Sequence, residues 1–143
     1  MKKQIIQSRV KRLTLALLLT FGEAQAIDGV VVIGHSNLSR LDAAMVQKIY
    51  TGKAVEVGGV AVTVINAKSG TPVRNQFLQA YLNQDEEKYT AYWTVRRYIG
   101  KGAPPTELQN AADVIKFVQA TPGAVGYIDE AEVKPGINVL LRK

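Results

Sequence analysis

The chain has 143 residues, 18 Lys and Arg against 12 Asp and Glu, one histidine and no cysteine. The missing thiols exclude disulfides, thiolate metal sites and cysteine nucleophiles, and a single histidine leaves a His-rich metal centre without ligands. The basic excess is concentrated at the N-terminus. Residues 1–26 hold five Lys and Arg and one Glu, leaving thirteen cations against eleven anions, so from residue 27 on the net charge is about +2 and argues for no nucleic-acid partner.

Those first 26 residues read as an export signal. Lys2, Lys3, Arg9, Lys11 and Arg12 form a basic zone, Leu13 to Phe21 an apolar run, and Ala24-Gln25-Ala26 a small-residue cleavage site. The run falls short of the roughly 20 apolar residues that a helix needs to cross a bilayer. Cleavage after Ala26 is expected, giving a periplasmic product of residues 27–143 with no membrane span, long enough for one domain.

Along that product strand and helix patterns alternate, which predicts an α/β fold. Val30 to Ile33, closed by Gly34, is a β-branched run suited to a strand buried on both faces. Ser39, with Asp42 three residues on, is expected to cap a helix presenting Met45, Val46, Ile49 and Tyr50, with Gly52 at its left-handed exit. Val60 to Asn66 reads as the second strand, and Val55 and Val57 can pair back across Gly58-Gly59. Lys68 then precedes the turn Ser69-Gly70-Thr71. Thr71 suits an N-cap and Pro72 the first helical position, followed by a stripe of Val73, Phe77, Leu78, Tyr81 and Leu82.

A further helix is expected from Asp85, with Glu86 and Glu87 in its first turn and Arg96 and Arg97 in its last, as the helix dipole favours. Its Tyr89, Tyr92, Trp93 and Tyr98 read as core and rim, not as a sugar platform. Gly100 to Pro105 is loop. Asn110 with Asp113 caps a helix carrying Val114, Ile115, Phe117 and Val118, stopped by Thr121-Pro122-Gly123. Ala124 to Ile128 and Ile137 to Leu141 close the fold as strands.

One stretch has the makings of a binding site. Backbone N–H groups and hydroxyls at Ser69, Gly70 and Thr71 meet the positive end of a helix, and Arg74 or Lys68 can add a charge-assisted bond to phosphate or sulfate. The same pattern also suits a plain helix cap with solvated cations. Elsewhere, His35 reads as ordinary loop chemistry, the Gly100-Lys101-Gly102 loop lacks P-loop spacing, and neither Ser36 nor Ser69 lies in a nucleophile elbow. No catalytic residue, cofactor or metal is expected.

The order of four motifs resembles the phosphate-binding proteins of ABC transporters. Ile49-Tyr50-Thr51-Gly52-Lys53 resembles their aromatic-x-Gly-Lys element, and Val64-Ile65-Asn66 with Ser69-Gly70-Thr71 their strand and phosphate-binding turn. Phe77 with Tyr81-Leu82 resembles the helix that follows, and Thr121 to Ile128 the Pro-Gly-Ala-Ile-Gly-Tyr-Val strand. The resemblance implies a single three-layer lobe of a type II periplasmic binding protein, with a mixed, mostly parallel sheet of about four or five strands flanked by about four helices. It carries Ser69, Gly70 and Thr71 over as anion contacts, with Arg74 beside them, and implies inorganic phosphate or a similar oxyanion as ligand.

Two departures accompany it. Only the second lobe is represented, and Ile65, Asn66 and Ala67 stand where the family has an arginine before the turn. Two functions follow as expectations: a solute-binding module, or an interaction or sensory module of the cell envelope whose partner, another envelope protein or a second copy, covers an exposed apolar or aromatic patch.

Overall fold

A computed structural model describes residues 29–143, so the expected export signal and its cleavage site lie outside the described residues. Strand β1 (Val30–Gly34) is buried along its whole length. Its alternate residues feed two cores, Val30 and Val32 on one face of the sheet and Val31 and Ile33 on the other, as the period of two requires. Helix α1 (Ala43–Tyr50) follows, then the short pair β2 (Glu56–Val57) and β3 (Val60–Ala61), strand β4 (Thr63–Ala67) and helix α2 (Pro72–Phe77), which runs into a π-helical stretch over Leu78–Leu82. Helix α3 (Glu86–Tyr98), β5 (Thr106–Leu108), α4 (Ala111–Ala120), β6 (Ala124–Asp129) and β7 (Asn138–Leu141) complete the chain.

The main sheet has the order β5-β4-β6-β1-β7. β4 pairs in parallel with β5 and β6, while β1 is antiparallel to both β6 and β7. Four of the five strands therefore share a direction and β1 alone opposes them. The architecture is the expected three-layer α/β one. On one face Val114 and Val118 of α4 pack on Val31, Ile33, Ile65 and Ile128. A Cβ on Gly126 would come within 2.7 Å of Val114 Cγ1, so glycine in β6 is what lets α4 approach this closely.

On the other face α1, the α2–π segment and α3 enclose an aromatic core of Tyr50, Phe77, Tyr81, Tyr89, Trp93 and Tyr127. Phe77 and Tyr127 stack with centroids 3.8 Å apart and rings 4° from parallel.

Local details depart from the expectation in three places. Asp42, not Ser39, caps α1, accepting from the Met45 N–H at 2.8 Å. The reason is the core: Leu38 and Leu41 must reach it before the helix begins, and Leu41 with Val46 brackets the cap as a hydrophobic staple. The strand expected over Val60 to Asn66 is split at Val62, whose N–H turns to Val55 O while the next N–H, from Thr63, goes to Gly123 O. Its first half pairs with β2, Val57 opposite Val60, and its second half joins the main sheet. Finally, β5 forms a third parallel strand just after the expected loop.

Candidate functional site

The site lies beyond the carboxyl ends of the parallel strands β4 and β5, the usual place for ligands in open α/β sheets. The end of β4 is fixed from behind by a chain of buried polar groups. Asn66, 1% exposed, donates to Tyr89 Oη at 3.2 Å and accepts from Tyr127 Oη at 2.9 Å. Tyr127 Oη in turn accepts from the Ala67 N–H at 3.0 Å, and Tyr89 Oη donates to Tyr50 O at 2.9 Å. Each hydroxyl both donates and accepts, so no capacity is wasted. Burial raises the phenol pKa of Tyr50, Tyr89 and Tyr127, keeping them as neutral donors.

From this anchored strand end the chain enters the turn. Lys68 N–H bonds Leu108 O at 3.1 Å, tying the turn to β5, and Thr71 N–H bonds Lys68 O at 3.2 Å. Gly70 takes φ +83°, with nothing within 4 Å of where a Cβ would stand. That conformation favours glycine, and the open side leaves room for a ligand. Thr71 holds the N-cap position of α2 with extended backbone, but its hydroxyl donates back to Lys68 O at 2.7 Å and does not cap the helix. A hydroxyl has one proton, so in this rotamer Thr71 braces the turn and leaves none for a ligand.

Arg74, one turn into α2, is 4% exposed. The sequence pattern suggested a cation beside the turn; the fold places it inside. Its guanidinium makes a bidentate pair with Glu86 at the start of α3, Nε to Oε2 and Nη2 to Oε1, both at 2.8 Å. Nη1 donates to Glu107 Oε1 of β5 at 2.6 Å and to Ala67 O at 3.1 Å. Ser69 Oγ lies 2.8 Å from the same Glu107 oxygen and 3.2 Å from Glu86 Oε1. Burial by itself lowers the pKa of Arg74, but the hydrogen bond and charge of Glu86, with Tyr127 and Glu107, outweigh it and raise the value. Burial likewise raises that of Glu107, yet the Ser69 hydroxyl, Arg74 and the Ser69 backbone prevail and hold its carboxyl below the ordinary value.

Ser69, Arg74 and Glu107 line a cavity of about 370 Å³, together with Thr90, Trp93, Thr94 and Arg97 of α3 and the loop residues Pro104 and Pro105. The structure thus brings Ser69 and Arg74 together, with Gly70 and Thr71 next in the chain. It adds two residues that sequence reasoning had assigned elsewhere or passed over. Glu86 read only as a helix-dipole residue. Glu107 follows the proline pair 104–105 in a segment without a strand signal, and nothing in its neighbours announced it.

No protein-family model matches the sequence, and no curated protein does. Solved structures do resemble the fold. An ABC-type phosphate transport receptor from Vibrio cholerae superposes with a TM-score of 0.61 at 14% identity, over 79% of this chain and 45% of its own. A phosphate ABC transporter substrate-binding protein of Clostridium perfringens, solved with bound phosphate, gives 0.60 at 20%, over 79% and 44%. PstS from Borrelia burgdorferi gives 0.59 at 18%, over 79% and 46%. The chain spans less than half the length of these proteins, and its fold is that of a single lobe of phosphate-binding receptors.

Proposed function

We propose that the protein is an exported, periplasmic solute-binding module, a binder and not an enzyme, that takes phosphate or a similar oxyanion at the Ser69-Gly70-Thr71 turn beside Arg74, with Thr71 bracing the turn through Lys68 O until a ligand draws its hydroxyl away. The observation that carries this reading is the carboxylate of Glu107, gripped by Ser69 Oγ at 2.8 Å and Arg74 Nη1 at 2.6 Å. A carboxylate is an oxyanion, so these donors already stand at the spacing that charge-assisted recognition of one requires. The fold shared with phosphate-binding receptors supports the choice of ligand. The cavity beside the donors has room for a phosphate ion and several waters, at about 30 Å³ of liquid volume per water.

Titration of the purified protein with phosphate, with sulfate and chloride as controls, tests the reading. Saturable binding that weakens at least about tenfold in Ser69→Ala, and is lost when Thr71→Val is combined with Arg74→Ala, is the expected result. A wild-type protein silent at millimolar phosphate contradicts it unless removal of the internal carboxylate restores binding.

One feature favours a second reading, an interaction or sensory module of the envelope. Val95 and Tyr98 of α3 and Ile99 at its C-cap are 59, 91 and 55% exposed. Their i, i+3, i+4 spacing puts them on one stripe, on the helix whose Arg97 lines the cavity. At about 100° per residue, the stripe lies on the side of α3 turned away from Thr90, Thr94 and Arg97, which line the cavity, so a partner or a second copy would cover it as a docking face separate from the oxyanion site. Sedimentation of the wild type against Tyr98→Ser with Ile99→Ser checks it: an assembly abolished by the pair supports the reading, and identical monomers speak against a second copy.

A further inference from the structure

Resting on the oxyanion reading of this corner, we infer that Glu107 is the residue that sets the site's affinity: it is an internal ligand that must leave before a soluble oxyanion can enter.

The donors explain why. Ser69 has one hydroxyl proton, and the nearest acceptor to it is Glu107 Oε1. Both Nη1 protons of Arg74 are engaged, one by Glu107 and one by Ala67 O. Any ion that takes these two groups must displace an acceptor. Ala67 O belongs to β4 and moves only with the sheet. Glu86 holds the guanidinium through two bonds and remains as its counter-charge. Glu107 makes one bond to Arg74, its side chain is 41% exposed, and it stands on the edge strand β5, three residues long. Among the three acceptors it alone can swing into water at little cost.

The consequence is a competition within one molecule. A tethered group competes at an effective concentration of about millimolar or more, so soluble phosphate must exceed the internal carboxylate's own hold. Once Glu107 swings out, its charge still lies near the site and opposes an incoming anion. Removing the carboxylate removes both penalties.

The test is a titration with inorganic phosphate of the wild type, Glu107→Ala and Glu107→Asp, all shown to be folded by circular dichroism. Glu107→Ala is expected to bind at least about tenfold more tightly than wild type. Glu107→Asp keeps the charge and loses one methylene of reach, and should fall between the two; an affinity equal to wild type would mean that charge alone matters and would overturn the occupancy argument. Binding by Glu107→Ala where wild type shows none also supports the inference. Wild-type binding that is unchanged or weakened in Glu107→Ala overturns it and leaves the oxyanion reading standing. Failure of every form to bind overturns both.

Discussion

Two polar clusters meet at Arg74 and differ in how they are closed. The Asn66–Tyr89–Tyr127–Tyr50 cluster is buried, its members act in turn as donor and acceptor, and it is stacked against Phe77. The Ser69–Glu86–Glu107 cluster has the shorter contacts, 2.6 and 2.8 Å to the guanidinium, yet both carboxylates are partly in water. Distance alone would rank the second as the stronger. Burial reverses the order, because a carboxylate that reaches water can exchange its bond for solvent whereas a fully buried polar group has no alternative partner. The lobe therefore pairs a fixed floor with an adjustable rim, the arrangement a ligand site needs.

Mutations that remove the floor should be the most damaging. Tyr127→Ala deletes a stacked ring and the acceptor for the Ala67 N–H, and should cost about 3–5 kcal/mol, measured by urea unfolding. For stability at neutral pH the rim matters most when it is stripped completely. With Glu86→Ala and Glu107→Ala combined, Arg74 becomes a buried cation without counter-charge, at a cost of about 3 kcal/mol by the behaviour of broken buried pairs.

Glu107→Gln alone should change stability by less than about 1 kcal/mol, since half-open pairs carry little. Its signature is in pH. The folded carboxyl titrates below its unfolded value, so its stabilisation is present above the unfolded pKa and is lost as pH falls through the folded one. Urea midpoints of wild type should thus fall more steeply on acidification than those of Glu107→Gln; parallel curves would show that the Glu107 contacts contribute nothing to stability.

Much of the fold was legible because its elements carry local signals. Asn110 caps α4 as expected, accepting from the Asp113 N–H, and α3 begins where expected, with Asp85 accepting from the Lys88 N–H. The β-branched run of β1 marked an interior strand. What failed was decided by tertiary contact. The choice of Asp42 over Ser39 depends on where Leu41 meets the core, and the break at Val62 depends on Gly123, 61 residues away in the sequence. β5 is too short and too polar for periodicity to reveal.

The candidate site was half legible. The Ser-Gly-Thr turn and its neighbouring Arg74 could be named from spacing. That Arg74 faces inward, and that two glutamates 12 and 33 residues further along occupy it, follows only from how β4, α3 and β5 converge.

The central claim, that this turn receives an oxyanion, is tested most directly by amide NMR of the protein during a phosphate titration at low salt. Saturable shifts centred on Ser69, Gly70 and Thr71, larger in Glu107→Ala and absent with chloride, are the predicted result. An unchanged turn in both proteins at millimolar phosphate would contradict it and leave Ser69-Gly70-Thr71 as a helix start braced by its own carboxylates.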